Sequence, residues 1–200
     1  MELNTKNTPK RTKKKDLILE SATAIFSQYG YNNSKLEQIT RSLDLTDKSI
    51  YYYFNSKGDL FIEVILSIQF KLDTLIKTIN EMEVNNLEKI KIYTNRAMTI
   101  NGLTLLMQLP KSLSEFAKYD LIKSNEASQY RMWTDWFAQG QSDGSIIHGN
   151  PVEHRNFLFG SLFYLHHWYA ITDNESYSHF QTFIENMIDR MYSTNFQRLQ

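Results

Sequence analysis

The chain has 200 residues, of which 42% are hydrophobic and 14% aromatic, and this apolar content excludes a disordered protein. Its 22 basic and 22 acidic residues give a net charge of zero, and the lack of cysteine excludes disulfides and thiolate metal sites. No apolar run reaches the roughly 20 residues that span a bilayer, and the polar N-terminus has no apolar signal core. We therefore expect a cytoplasmic globular protein with one or two small domains.

Positive charge is concentrated near the N-terminus. Residues 1–58 hold ten lysines and arginines against six acidic residues, whereas residues 59–200 hold twelve against sixteen. A run without acidic residues contains Lys6, Lys10, Arg11 and residues 13–15. It predicts an arm that follows phosphates or enters a minor groove ahead of a first helix beginning near residues 12–16, with a solvated tail as the alternative.

The pattern of apolar residues that follows the arm predicts a long amphipathic helix. The residues recur at intervals of three and four, and Gly30 stands where a left-handed cap would end the helix. The predicted apolar face consists of Ile18, Ala22, Ile25, Phe26 and Tyr29.

Two short helices across a tight turn are predicted next. Ser34 is a candidate N-cap for the first and Thr46 for the second, and Asp44 stands at the turn, where Asp tolerates a left-handed backbone. A second short helix that begins with small polar residues is the arrangement that enters a DNA major groove. The inward apolar residues are Leu36, Ile39 and Leu43 in the first helix and Ile50, Tyr53 and Phe54 in the second.

This segment resembles the N-terminal DNA-binding domain of the TetR family of one-component transcriptional repressors. The likeness covers the first quarter to third of the chain, and Thr40, Leu43, Asp44 and Lys48 depart from the family pattern of small residues. The matching residues, in order, are Gly30, Tyr31, Ser34, Ile39, Leu45, Thr46, Ser49, Ile50, Tyr51, Tyr53, Phe54, Ser56, Lys57 and Leu60. The resemblance implies a homodimer that binds DNA and whose DNA binding responds to a small molecule.

The second short helix, residues 46–54, is the predicted recognition helix. We expect Lys48, Ser49 and Tyr51 to reach bases, because their side chains leave the apolar face of this helix. A second set is expected to grip phosphates. That set is Ser34, Lys35, Thr46, Tyr52 and Lys57.

The remainder of the chain is predicted to be helical throughout. Ser56 with Asp59 caps a helix that extends to about residue 81, and no segment shows two-residue alternation. Further helices are predicted at residues 87–107, 111–119, 124–140, 151–172 and 176–196. The predicted fold is all-α, with a three-helix DNA-binding domain in residues 1–58 and a helical ligand-binding and dimerisation domain in residues 59–200.

The last two predicted helices carry the expected dimer surface. One is apolar on a broad face and the other has a single stripe, so both need cover on several sides. A two-fold interface of the helix-bundle type would supply that cover, and internal core packing is the alternative. The apolar residues are Phe157, Leu158, Leu162, Leu165, Trp168 and Tyr169, then Phe180, Phe183, Ile184, Met187, Ile188 and Met191.

The middle of the chain is the expected effector region, because aromatic side chains with a few polar tips suit a mainly apolar pocket. Each residue could instead be plain core. Residues 163–169 are also faintly similar to the helix of family members that answer acyl-CoA thioesters, while other apolar effectors fit equally. The candidate ligand-binding residues are Met98, Met107, Phe116, Tyr130, Trp133, Phe137, Phe163 and His167.

An enzyme is the disfavoured reading. His166 and His167 are adjacent on a predicted helix and point about 100° apart, which does not suit chelation of one ion. No glycine-rich phosphate loop, serine elbow or carboxylate pair is recognisable, so we expect no cofactor, metal or catalytic residue. Two alternatives to a repressor remain, a transcriptional activator of the same fold and a helical protein-interaction module.

Overall fold

The computed structural model describes residues 9–168 and 174–197, and within these ranges the regular elements are helices, apart from one bridge between Ile146 and Ser193. The all-α fold class is confirmed. Two 3-10 helices, Leu103–Gln108 and Lys111–Leu113, lie between the fifth and sixth α-helices. The α-helices are α1 (Pro9–Asn33), α2 (Leu36–Ser42), α3 (Asp47–Tyr51), α4 (Lys57–Asn80), α5 (Asn86–Ala97), α6 (Tyr119–Ser142), α7 (Pro151–Trp168), α8 (Asn174–Tyr192) and α9 (Thr194–Gln197).

Two compact units make up the chain. The N-terminal unit contains the chain through Ile68 together with Asn101–Ile122, and the C-terminal unit contains Gln69–Ile100 together with the chain from Lys123 onward. Helix α4 is continuous through residues 68 and 69, where one unit ends and the other begins. The predicted functional division at residues 58 and 59 falls earlier and stays a prediction.

The core of the N-terminal unit lies along the apolar face of α1. Ile18, Ala22 and Phe26 are fully buried, as their spacing predicts. The Phe26 ring meets the Phe61 ring of α4 edge to face, with 4.9 Å between the centroids. Helix α1 begins at Pro9, earlier than the predicted start at residues 12–16.

Glycine 30 ends the regular part of α1, as predicted. Its φ of +72° is a backbone conformation that favours glycine, and it interrupts the helix. Tyr29 was expected on the buried face but is 41% exposed. Tyr31 occupies the core side instead, because the turn at Gly30 brings its ring to 5.0 Å from that of Phe61.

The two short helices are confirmed, but one predicted cap is wrong. Lys35, not Ser34, is the N-cap of α2, and the Gln38 side chain accepts a hydrogen bond from the Lys35 N–H at 2.7 Å. The buried Ser34 hydroxyl donates backwards to the Gly30 carbonyl, so it stabilises the end of α1. Asp44 has a φ of +52°, which confirms the predicted left-handed turn.

Residues 101–122 contain no regular α-helix before residue 119, so the predicted helix at 87–107 is confirmed only as far as residue 97 and the predicted helix at 111–119 is wrong. Helix α5 ends at Ala97, and the chain turns at Gly102, whose φ is +80°. A Cβ at Gly102 would lie 2.5 Å from Thr23 of α1. A Cβ at Gly58 would lie 2.5 Å from the Phe116 ring, so both glycines permit close packing of this segment.

Helices α4 and α6 meet in the C-terminal unit through hydrogen bonds between side chains. Asn125 donates to Gln69 at 3.1 Å, and Gln129 donates to Asp73 at 2.9 Å. The Trp136 indole N–H adds a third bond to Asn80 of α4. Partners in all three pairs are 56 residues apart, so the two helices run parallel along this polar seam.

Helix α8 packs on α5 through its predicted apolar stripe. Phe180, Ile184 and Ile188 are buried, whereas Phe183 of the same predicted stripe is 44% exposed. The flank is polar, and Lys91 of α5 bonds to the Asp189 carboxylate at 3.1 Å. The predicted helix at residues 176–196 is broken near Ser193, which pairs with Ile146.

Among the described residues, no helix combines the length and the apolar character needed to cross a membrane. In the same part of the chain, no three His, Asp or Glu side chains converge in a way that could hold a metal ion.

Candidate nucleic-acid interface and effector region

Helix α3 is fixed by buried residues on one side and presents polar residues on the other. Ile50 and Phe54 are at most 1% exposed, and they hold this five-residue helix against the core. The predicted N-cap position of Thr46 is confirmed by its extended backbone, although its side chain makes no capping bond. Its hydroxyl instead lies 3.2 Å from that of Ser49.

The three residues predicted to reach bases all lie on the outer side of α3. Lys48 is exposed, Ser49 is half-buried, and Tyr51 is 55% exposed. An ammonium group, a hydroxyl and a phenol can donate to, or accept from, the base edges of a major groove. The structure brings them together on a single turn of helix.

The residues predicted to contact phosphates differ in their exposure and in their internal hydrogen bonds. Lys35 and Tyr52 are exposed, and the Tyr52 ring is braced by Tyr53 at 4.9 Å. The Lys57 ammonium donates to the Ser34 carbonyl at 2.8 Å and lies 4.6 Å from the centre of the Tyr31 ring. Partial burial lowers the pKa of Lys57.

Ser34 and Lys57 are therefore joined to each other in the structure, and both stabilise the link between α1 and α2. A phosphate contact by either residue stays a prediction. The Ser34 hydroxyl hydrogen is already used by Gly30, so a phosphate would have to compete with that bond.

Sequence reasoning missed an ion cluster that supports α3. Glu63 of α4 accepts from Lys15 of α1 at 2.7 Å and also from Lys118. The Lys15 ammonium lies 5.6 Å from the centre of the Phe54 ring. Burial alone would raise the pKa of Glu63, but the bonds from both lysines outweigh it and lower that pKa. Lys15, predicted as part of the DNA arm, thus has an internal partner.

The structure describes only some of the other basic residues of the predicted arm. The side chains of Lys13 and Lys14 are described, and Lys13 is exposed. Lys6 lies outside the described residues, as do the side chains of Lys10 and Arg11.

The candidate ligand-binding residues do not all come together. Phe116 and the 65% exposed Met107 belong to the N-terminal unit. Tyr130, Trp133, Phe137 and Met98 belong to the C-terminal unit. The side chains of Phe163 and His167 lie outside the described part of the structure.

Trp133 is the centre of an aromatic cluster in the C-terminal unit. Its ring lies 5.0 Å from Tyr93, 4.9 Å from Phe159 and 6.4 Å from Phe137, measured between centroids. The sequence analysis did not identify Tyr93 and Phe159 as members of this cluster. Helical spacing of aromatic residues indicates a helix face, but it does not show which residues that face contacts. Deep burial raises the pKa of Tyr93, so its phenol stays neutral.

The N-terminal unit presents the exposed helix α3 on a three-helix core, which is the arrangement of a helix-turn-helix DNA-binding domain. Residues 18–64 match the model for bacterial regulatory proteins of the tetR family. The HTH-type transcriptional repressor NicS of Pseudomonas putida is 43% identical over 51 residues. These residues are 26% of this chain and 24% of NicS, so the chain matches about a quarter of that relative's length.

Solved structures extend the likeness in fold to most of the chain. The ketosteroid transcriptional regulator KstR2 of Mycobacterium tuberculosis aligns with a TM-score of 0.78 at 17% identity, covering 90% of this chain and 95% of that one. AibR in complex with isovaleryl coenzyme A and operator DNA aligns with a TM-score of 0.74 at 12% identity, covering 89% and 97%. Residues 18–64 therefore match the DNA-binding segment of the tetR family, and the chain as a whole shares the fold of these solved regulators.

Proposed function

We propose that this protein is a ligand-responsive repressor, which binds a near-palindromic operator as a dimer and is released by a small, mostly apolar effector. The observation that carries the proposal is the exposed group Lys48, Ser49 and Tyr51 on a helix that Ile50 and Phe54 fix in place. A recognition helix that is already held in place before binding loses little conformational entropy when it binds DNA.

Dimer formation is supported by exposed apolar side chains on α7 and α8. Phe157 is 61% exposed, Val152 42% and Phe183 44%. Gly160 adds a position where the backbone is open to close approach, since a Cβ there would meet no atom within 4 Å. A two-fold axis through this face would bury these side chains, and two recognition helices about 34–36 Å apart would match successive half-sites.

The effector releases the protein from the operator if it binds more tightly to the dimer conformation whose two recognition helices do not have the spacing that DNA requires. Because α4 is one continuous helix, Lys57–Asn80, a rearrangement in the C-terminal unit can be carried along its axis to the residues that follow α3. The effector shifts the equilibrium by no more than its difference in affinity for the two states.

The effector is proposed to bind in the aromatic cluster around Trp133. Apolar walls with few polar groups suit an apolar ligand. AibR has been solved in complex with isovaleryl coenzyme A, and KstR2 is a ketosteroid transcriptional regulator, which supports acyl thioesters and other apolar molecules as candidate effectors. We propose that the protein acts in the cytoplasm and needs no cofactor.

The experiment that tests this function is selection of binding sites from random double-stranded DNA by the full-length protein. We expect enrichment of a near-palindrome, a complex of two chains per site, and lower transcription from a promoter that carries the site. Enrichment with increased transcription would favour the activator of the same fold. Failure to enrich any sequence would contradict the proposal and favour a helical protein-interaction module.

A further inference from the structure

The ammonium group of Lys57, the first residue of α4, is bound within the N-terminal unit. It donates to the Ser34 carbonyl at 2.8 Å and to the Asn32 carbonyl at 3.4 Å. Its nitrogen also lies 4.6 Å from the centre of the Tyr31 ring. An ammonium group has three N–H donors, so two are used by these carbonyls, and the face of the ring stabilises the positive charge.

All three contacts of Lys57 fall in residues 31–34, which lead from α1 into α2. This stretch lies between Gly30, where the regular part of α1 ends, and Leu36, where α2 begins. The contacts therefore fasten the start of α4 to the chain that enters α2. Because α3 follows α2 after a tight turn, the path of residues 31–34 helps to set the positions of both short helices.

The groups that bind Lys57 are themselves held in the core. The Tyr31 ring lies 5.0 Å from that of Phe61 and 6.2 Å from that of Phe26, and both phenylalanines are fully buried. Ser34 is 2% exposed. The ammonium has exchanged part of its water for these groups, and this burial lowers the pKa of Lys57. A DNA phosphate would have to draw Lys57 away from partners that are fixed in place.

We propose that Lys57 is a positioning residue for DNA recognition, which fastens residues 31–34 to α4 and so holds α2 and α3 in place, and that it does not bind a DNA phosphate. The inference rests on the proposed function, since it concerns how the recognition helix is held. It replaces the phosphate contact that the sequence predicts for this residue.

The two roles of Lys57 have different consequences for DNA binding. Base contacts require α3 to be placed correctly, and a loosened α3 loses more conformational entropy when it binds a specific site. Binding to DNA of any sequence depends mainly on positive charge near phosphates, so it tolerates a loosened helix. Loss of a positioning residue therefore reduces specific binding more than non-specific binding.

The test measures the affinity of full-length Lys57→Met for the selected operator and for scrambled duplex DNA over a series of salt concentrations. We expect the affinity for the operator to fall about tenfold and that for scrambled DNA to change by less than about twofold. Lys71→Met is the control, because it removes the same charge from an exposed lysine of α4 in the C-terminal unit. Lys57→Gln, which keeps two N–H donors without the charge, is the second variant if Lys57→Met fails to fold.

The salt dependence decides between the two roles. A positioning residue leaves the slope of log affinity against log salt equal to that of Lys71→Met. Loss of a phosphate contact would flatten this slope by about 0.9 and would weaken binding to both DNAs alike. That result would overturn the inference and restore Lys57 to the phosphate contacts, while the selected operator and the proposed function would stand.

Tyr31 offers a variant that changes no charge. Tyr31→Leu removes the ring that faces the ammonium, whereas Tyr31→Phe keeps it and should bind the operator as the wild type does. If the two residues act together, Tyr31→Leu should weaken operator binding at least about threefold less in Lys57→Met than in the wild-type protein. Melting temperatures ensure that only folded protein is compared. Independent effects of the two substitutions would overturn the proposed coupling.

Amide hydrogen exchange tests the positioning role without DNA and separates it from the proposed function. Lys57→Met should speed exchange in α2 and α3 and leave α6, in the C-terminal unit, unchanged. Unchanged exchange in α2 and α3 would overturn the inference even in a protein that binds an operator. Faster exchange there, in a protein that selects no DNA sequence, would support the role of Lys57 in holding these helices and contradict the proposed function.

Discussion

Lys48 places an ammonium group at the exposed side of α3, where the family pattern has a small residue. A lysine is a flexible point charge with three donors, so it can reach either a guanine edge or a phosphate. These two contacts have different consequences. A base contact carries sequence information, whereas a phosphate contact adds affinity for any DNA.

The first prediction concerns this residue. Lys48→Ala should weaken binding to the selected operator by roughly 1–3 kcal/mol and relax preference for one base pair, because a bidentate base contact is lost. Fluorescence anisotropy on matched and scrambled DNA measures both effects. Lys71→Ala, an exposed lysine of α4 in the C-terminal unit, is the control and should leave affinity unchanged. An equal loss on both DNAs would assign Lys48 to a phosphate.

His154 gives the second prediction at this scale. Its imidazole packs between the rings of Phe137 and Tyr192, at 5.6 and 5.3 Å, and burial lowers its pKa despite the opposing effect of Glu153. The folded protein then prefers the neutral imidazole more strongly than the unfolded chain does. Stability from this preference is present above the unfolded pKa of about 6.5 and is lost as the pH falls below it.

His154→Gln should therefore flatten the fall in the free energy of unfolding just below pH 6.5. Urea denaturation of wild type and variant at several pH values measures that slope. His179→Gln alters an exposed histidine of α8 and should keep the wild-type slope. Identical slopes for wild type and His154→Gln would show that burial of His154 does not contribute to acid sensitivity.

At the scale of elements, the sequence predicts what local rules determine. Helices α1 to α3 are specified by apolar spacing, by Gly30 and by Asp44, whose positive φ values are preferences of those residue types. Residues 101–122 are not predictable in this way. Their 3-10 turns depend on close packing against Gly58 and α1, which is a tertiary effect.

The residues of the candidate sites also fall into two groups, those that local sequence rules predict and those that depend on tertiary contacts. The outward position of Lys48 follows from helical spacing alone. The link between Lys57 and Ser34 joins residues 23 apart, and no local pattern reveals it. The position of Trp133 among the rings of Tyr93, Phe137 and Phe159 likewise depends on helices distant in sequence, so an aromatic stripe could suggest only a region.

The polar seam between α4 and α6 gives the third prediction. A seam of hydrogen bonds can exchange partners when helices shift, whereas interlocked apolar side chains resist a shift. Replacing Asp73 and Gln129 together by leucine removes both partners of one bond, so stability should be unchanged or higher. We expect the seam to become harder to rearrange, and operator release to need a higher effector concentration.

Melting temperature and the effector concentration for half-release of operator measure the two effects separately. Asp73→Leu alone is the control, because it leaves the Gln129 amide without its partner and should lower stability. A double variant that is stable and releases operator at the wild-type concentration would exclude the seam from the allosteric change.

At the scale of the whole molecule, charge and exposed apolar surface are distributed unequally. The excess of positive charge lies in residues 1–58, and the exposed phenylalanines of α7 and α8 lie near the other end of the chain. A single α3 would contact too few base pairs to discriminate an operator, and the proposed function therefore places two chains on one DNA site. A dimer formed through α7 and α8 would bring a second recognition helix to the same DNA site.

The last prediction tests that assembly. Phe157→Ser together with Phe183→Ser should make the protein monomeric, since both side chains are exposed in one chain and gain burial only in a dimer. Phe70→Ser is the matched control, because Phe70 is 72% exposed on α4 and lies outside the proposed interface. Sedimentation velocity gives the oligomeric state, and anisotropy gives operator affinity. The monomer should stay folded, because no core residue is changed, and should bind a half-site and a full operator equally weakly. A double variant that remains dimeric would place the interface elsewhere, and a monomer with full operator affinity would contradict two-fold reading itself.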